Sequence, residues 1–342
     1  MKKYKISLRL LSLLVLISVI AVVFSGCKQT TAPKKDTFYG YFDTISTVSD
    51  YSGGSEKSFR ENLELAKSRL KFYHELFDIY HEYDSLINLA TVNRLAGEGE
   101  VAVSPELIEF LEYAIEMHEL TGGNMNIAMG SVLKIWHEYR EAGSSVPTDA
   151  ELREAAEHTD IKNLVIDKQK CTVRFLDPEM SLDVGAIAKG YAVERVAEEL
   201  IARGADSYVL DVGGNLRIIG HKSDGSTWRT AVENPDFYSD NPYVYYLDVA
   251  DTSVVTSGNY QRFYIVDGVR YHHIINKDTL MPADYFASVT IITKNSALAD
   301  TLTTALFNMD YESGVELLST LDGVSCVWVT NDGEVKTYGL QD

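Results

Sequence analysis

What constrains this chain most is a change of hydrophobic period along its length. Across the first half, apolar residues recur at helical spacing over Glu56–Ile79, Pro105–Leu120, Ser131–Tyr139 and Thr148–His158, with Ser104 and Thr148 positioned as N-caps. Farther on the period shortens, and β-like runs take over at Thr172–Phe175, Ser207–Val212, Leu216–Ile219, Tyr243–Val249, Phe263–Val266, Ser288–Ile292, Val324–Val329 and Val335–Tyr338. Asn331-Asp332-Gly333 between the last two is a hairpin signal. An earlier run rich in Thr, Ile, Val and Tyr, Phe38–Tyr51, reads as a first strand and is closed by Ser52-Gly53-Gly54. Segregation of this kind predicts an α+β fold, a helical amino-terminal portion packed on a mostly antiparallel sheet. The 342 residues allow one large domain or two modest ones. No repeat or break compels a division, so residues 38–342 are read as a single body.

The start of the chain fixes the compartment. Lys2, Lys3, Lys5 and Arg9 precede an apolar run, Leu10–Phe24, interrupted only by Ser12 and Ser18, which is the layout of a secretory signal. Phe24-Ser25-Gly26-Cys27 resembles a lipoprotein processing site, with Phe24 where Leu is usual; the resemblance implies cleavage after residue 26 and a diacylglyceryl group on Cys27. The other reading is an uncleaved membrane anchor, for which the run is short. Both place the body outside the cytoplasmic membrane, anchored to it. Residues 27–37 read as lipidated cysteine and tether. Cys171 and Cys326 are far apart and each flanked by strand-like residues; a disulfide is one reading and two separate thiols the expected one, and no CxxC or Cys/His metal spacing is present.

Charge then excludes a class of partner. With 31 Lys+Arg against 50 Asp+Glu the chain carries −19, and removing the signal takes away only basic residues. A broad nucleic-acid surface is ruled out on that balance. A small anionic ligand is compatible only with a locally arranged pocket.

Four segments carry the chemistry. Leu182-Asp183-Val184-Gly185-Ala186-Ile187-Ala188-Lys189-Gly190-Tyr191 leads into an amphipathic helix and sets an Asp and a Lys at its first turn, where free N–H groups favour anions. It reads equally as a tight strand-to-helix turn with a surface Lys. Leu210-Asp211-Val212-Gly213-Gly214-Asn215 follows a strand with paired glycines, for close approach or for a bend. Val255-Thr256-Ser257-Gly258-Asn259-Tyr260 precedes Tyr271-His272-His273-Ile274-Ile275-Asn276. Adjacent histidines on a strand point to opposite faces, so one is structural and His273 is the candidate base. Asn295-Ser296-Ala297-Leu298-Ala299-Asp300 begins a helix on which Asp300 and Thr304 share a face, a partial oxygen shell for a hard cation or a packing face with an early-helix Asp.

In order and spacing these segments resemble the ApbE-type FAD:protein FMN transferases, over about Phe42 to Leu340. Family-like elements stand here as Asp183–Gly190, Gly213–Asn215, Thr256–Ile274 and Ala299–Thr304, and Trp228…Glu233-Asn234-Pro235 looks like the strand the family places between the second and third. The resemblance implies an ApbE-like fold and an enzyme that splits FAD at its pyrophosphate, joins FMN to a Thr or Ser of an exported protein and releases AMP. It implies Mg²⁺ held by the Ala186 carbonyl, Asp300 and Thr304, FAD contacts from Asp183 and Lys189, and His273 as the base facing FAD and acceptor. Less securely it maps FAD contacts onto Phe42, Tyr80 and the loop Asn124, Met125 and Asn126. After the histidines, Asn276, Lys277 and Leu280 replace the family's Asp, Pro and Gly, leaving the loop to Pro282 without a predicted conformation. Two other readings use the same residues: an FAD pyrophosphatase giving FMN and AMP, and a lipoprotein that only binds a flavin or another solute.

Overall fold

The computed structural model describes residues 32–340. The signal, Cys27 and the first part of the tether lie outside the described residues. At its centre is an eight-stranded sheet in the order β1-β2-β6-β7-β10-β13-β14-β15, antiparallel at every pairing. Its strands are β1 (Lys34–Tyr41), β2 (Thr44–Asp50), β6 (Ser207–Val212), β7 (Asn215–Gly220), β10 (Thr252–Gly258), β13 (Ser288–Thr293), β14 (Ser325–Val329) and β15 (Val335–Tyr338). Smaller sheets pair β8 (Trp228–Glu233) with β9 (Tyr243–Val249) and β11 (Phe263–Val266) with β12 (Val269–His272), and join β3 (Val101–Ala102), β5 (Thr172–Phe175) and β4 (Leu164–Asp167).

The helices are α1 (Glu56–Phe77), α2 (Leu89–Arg94), α3 (Pro105–Leu120), α4 (Gly130–Ala142), α5 (Asp149–Ala156), α6 (Ala188–Ala202), α7 (Ser296–Phe307) and α8 (Tyr311–Ser319). Their starts follow from capping chemistry. Ser104 accepts from the Leu107 amide ahead of Pro105, and Thr148 and Glu151 form a capping box. α1 buries Phe59, Leu63, Ala66, Leu70, Tyr73 and Phe77 at helical spacing. α6 packs on α1, α7 and β7, while α7 lies along β10 and β13, so the core sits between these helices and the sheet. The α+β expectation holds. So does that of two thiols: Cys171 and Cys326 are both free, and burial in β14 pushes the Cys326 thiol well up.

The sequence reading needs correction at its first strand. Phe38–Tyr51 is two strands joined by a two-residue turn in which Phe42 and Asp43 have φ of 54° and 52°. Residues 34–37, assigned to the tether, already belong to β1, and Lys34 pairs with Asp50 across the ladder. An edge strand tolerates such polar residues: Asp36 meets Lys67 of α1 at 2.6 Å.

Candidate active site

Four separate contacts gather the sequence segments. The tip of the β1–β2 hairpin packs against Gly213, where an added Cβ would fall 2.3 Å from the Thr44 hydroxyl. Asn215, fully buried, accepts a 2.7 Å hydrogen bond from the Ser296 hydroxyl and ties the start of β7 to the start of α7. Farther along α7, Ser257 donates to the Thr303 hydroxyl at 2.9 Å, and Phe307 meets the His272 ring edge-on. Helix α7 is thus fastened to the glycine turn, the Thr-Ser-Gly strand and the histidine pair in succession.

Asp300 sits in the middle of that helix and is buried. Its Oδ2 accepts from the Gly190 amide at 2.7 Å, and its Oδ1 lies 3.4 Å from Lys189 Nζ. A carboxylate from α7 therefore caps the N-terminus of α6, which has no side-chain cap of its own. The approach needs a glycine: a Cβ at Gly190 would stand 2.4 Å from the Asp300 Cβ. Gly190 is the third residue of α6, so its amide is one of the first-turn N–H groups that have no acceptor within the helix. Asp300 takes it, and the Ala186 carbonyl, just before the helix, has no hydrogen bond among the described residues. The Thr304 hydroxyl is likewise unengaged among the described residues, whereas Thr301 and Thr303 donate to the Ala297 and Asp300 carbonyls. Two free oxygens and a carboxylate held only loosely by Lys189 form an all-oxygen donor set, suited to a hard divalent cation.

Asp183 is set by backbone on both sides. Its amide donates to the Ile127 carbonyl at 2.8 Å, and Leu182 beside it exchanges two hydrogen bonds with the Asn93 side chain of α2. The carboxylate accepts from the Gly185 amide, and burial pushes its pKa above the usual carboxylate value. Asp183 and Tyr80 line a cleft of about 910 Å³ with His137, Ser131 and Leu182. Tyr80 is 61% exposed, on a loop organised by Asp78, which accepts from the amides of Tyr80 and His81.

The two histidines divide as expected. His272 is buried, accepts at Nδ1 from the Ile274 amide and donates from Nε2 to the Ala283 carbonyl at 2.8 Å, so both nitrogens are occupied. His273 faces the other way. Its Nδ1 lies 3.2 Å from the Arg262 carbonyl, which can only accept, so Nδ1 carries the proton and Nε2 keeps a lone pair. Burial, with the charges of Arg262, His272 and Arg140, pushes its pKa down to about 4, leaving it neutral, with a free lone pair, at physiological pH.

The early-chain assignments fare unevenly. Phe42 lies edge-on to His74, and its amide donates to His74 Nδ1 at 3.2 Å, but it is not part of the cleft wall. Met125 is fully buried in the core, so its side chain offers no face to a ligand, contrary to expectation. Asn124 and Asn126 spend their amides on the carbonyls of Thr121 and Thr159, and Asn126 caps the turn Ile127–Met129. The wall of the cleft does not include this loop, Lys189, His273 or Asp300.

The altered loop after the histidines has a definite conformation. Asn276 Oδ1 accepts from the amides of Asp278 and Thr279, as a carboxylate would, and its Nδ2 donates to the Asn308 carbonyl. Leu280 takes φ of 59° in the glycine's place, and its carbonyl accepts from the Trp136 indole at 2.8 Å. Residues that sequence reasoning missed are Asn93, His137, Arg140 and Arg262. None stands in a recognisable local pattern; they reach the site only through tertiary packing.

The sequence model of the ApbE family matches residues 42–328. The chain belongs to the ApbE family. Relatives include the FAD:protein FMN transferase of Treponema pallidum, 35% identical over 74% of this chain and 74% of the relative. That of Klebsiella pneumoniae is 29% identical over 78% and 81%. Among solved structures, the ApbE protein of Thermotoga maritima superimposes with a TM-score of 0.80 at 27% identity, covering 90% of this chain and 97% of that one. The flavin transferase ApbE of Vibrio cholerae gives a TM-score of 0.74, also at 27% identity and over the same shares.

Proposed function

We propose that this ApbE-family protein is an FAD:protein FMN transferase that attaches FMN through a phosphoester to a Thr or Ser of an exported protein and releases AMP. The observation that carries the reading is the Asp300–Gly190 bond. It fixes a carboxylate against a helix N-terminus, next to the Ala186 carbonyl, which has no hydrogen bond among the described residues. Bound there, a divalent cation such as Mg²⁺ would be held by Ala186, Asp300 and Thr304 and would neutralise phosphate charge. The protein's own groups do the rest. Tyr80 and the cleft receive the flavin end, and Lys189 with the first turn of α6 faces the phosphates. His273 Nε2 takes the acceptor hydroxyl's proton as its oxygen bonds to the FMN phosphorus. The bond from that phosphorus to the bridging oxygen breaks, and its electron pair leaves with AMP.

The amino-terminal signal and Cys27 support a body tethered by lipid outside the cytoplasmic membrane, where an exported acceptor would meet it. Incubating residues 28–342 with FAD, Mg²⁺ and a competent exported acceptor should give a covalent fluorescent band. Absence of that band under every such condition overturns the proposal, and AMP released equally fast without acceptor would identify a hydrolase. Asp300→Asn is a sharper probe than Asp300→Ala. The amide oxygen can still accept from Gly190 and cap α6, so a stable but inactive variant isolates the loss of charge.

A further inference from the structure

Helices α6 and α7 cap each other. The Gly190 amide at the start of α6 donates to Asp300 of α7 at 2.7 Å, and the Ser296 amide at the start of α7 donates to Glu194 Oε2 of α6 at 2.6 Å. In each helix the carboxylate stands one turn beyond the amide that its neighbour caps. A contact in both directions limits how far one helix can slide past the other.

The two carboxylates differ in what surrounds them. Asp300 meets Lys189 at 3.4 Å, a loose contact that a bound cation would displace. Glu194 is buried, and the Oε2 that takes the Ser296 amide also accepts from Arg217 Nε at 3.2 Å. Arg217, on β7, is only 1% exposed. Its Nη1 donates to the Ile218 carbonyl and lies 3.5 Å from Asp251, which in turn pairs with Lys294 at 2.7 Å, two residues before Ser296. The Ser296 hydroxyl is spent on Asn215, so the first residue of α7 is tied to α6 through its amide and to β7 through its side chain.

We propose that Glu194, clamped by Arg217, is the positioning residue of the cation site: it fixes α7 against α6, so that Asp300 and Thr304 stay gathered with the Ala186 carbonyl when a cation draws on the Asp300 charge. The assignment rests on the transferase reading above. Asp300 cannot hold the crossing by itself, because the charge that caps α6 is the charge a cation would share. Glu194 lies outside the oxygen donor set and keeps its whole charge for Arg217 and the Ser296 amide. A buried ion pair adds little net stability, since both ions must leave water, but breaking it from one side is costly, so the pair holds one geometry. Supporting groups of this kind orient the ligands of a metal and set its affinity without touching it.

The test follows the thermal midpoint of the protein against Mg²⁺ concentration, and labelling of the acceptor at limiting and saturating Mg²⁺, in Glu194→Gln and in the double variant Glu194→Gln/Arg217→Met. Gln can still accept from the Ser296 amide but leaves Arg217 without its charge partner, so the single variant should be less stable. Met at 217 removes that buried charge and should restore folding. Both variants should need roughly 10- to 100-fold more Mg²⁺ than wild type for the same rise in midpoint and for half-maximal labelling, with labelling recovering as Mg²⁺ saturates. A purely structural role predicts a wild-type Mg²⁺ requirement once stability is restored, and that result in the double variant overturns the assignment. Labelling that stays lost at saturating Mg²⁺ also overturns it, and so does failure of both variants to fold, which would make Glu194 a residue of the fold alone. Wild-type protein whose midpoint ignores Mg²⁺ overturns the cation site of the transferase reading, and this assignment with it.

Discussion

His273 and Asn276, three residues apart, illustrate how one side chain can be specified by what its neighbours are able to accept. The Arg262 carbonyl fixes the His273 tautomer, and burial, reinforced by the neighbouring positive charges, keeps the ring neutral. The acid limb of kcat/KM, which reports the free enzyme, should therefore lie near pH 4 instead of 6.5, and Arg262→Gln should move it upward. The limb of kcat should be higher, because bound phosphates favour the protonated ring. Linkage has the same sign: with its folded pKa below the unfolded one, His273 contributes stability above pH 6.5 that is lost as pH falls towards 4. His273→Ala should slow labelling by about two to four orders of magnitude, and denaturation midpoints measured across pH 4–7 should fall less steeply than in wild type. At Asn276 the amide is needed for both of its ends. Asn276→Asp keeps the acceptor but sets a carboxylate against the Asn308 carbonyl in a buried position. The expected cost is about 1–3 kcal/mol, growing as pH rises and the acid ionises, read from urea midpoints at pH 4 and 8.

Between elements, the contact that decides the site is the crossing of α6 and α7 at Gly190. A methyl group there meets the Asp300 Cβ at 2.4 Å and the Ser296 carbonyl at 2.5 Å, and neither is the end of a flexible chain. Gly190→Ala should cost about 1–3 kcal/mol by overpacking. It should also lower labelling far more than that loss of folded protein explains, because the Asp300 cap shifts with the helix; activity per folded molecule, from labelling and circular dichroism together, separates the two effects. This crossing was half legible in the sequence. The Asp183–Gly190 turn and the Asp300–Thr304 face are local patterns, visible within ten residues, but that one helix caps the other is not. α3 and β6 were readable residue for residue because caps and alternation bound them. Helix α2 has six residues, too few for a period, yet its Asn93 positions Asp183. The β1–β2 turn was hidden because Phe42 and Asp43 occupy positions where Asn-Gly is the usual signal.

For the molecule as a whole, the acidic balance sets the terms on which a dinucleotide can be received. A body with this net charge repels phosphate at long range, so affinity must come from short-range groups. Lys189 alone is not enough, since its charge is already shared with Asp300. A divalent cation held by Ala186, Asp300 and Thr304, as proposed, would release Lys189 from that pairing and would add positive charge beside the substrate phosphates. Chelation should therefore reduce labelling by about a thousandfold or more, equivalent to the several kcal/mol that a bound cation contributes to phosphoryl transfer. A second readout makes the site visible without turnover. Mg²⁺ should raise the thermal midpoint of the wild-type body in a concentration-dependent way, by binding the folded state alone, and should leave that of Asp300→Asn unmoved. Labelling that survives complete removal of divalent cations, or an equal Mg²⁺ shift in both proteins, would mean that the acidic body neutralises its substrate without a cation held by Asp300.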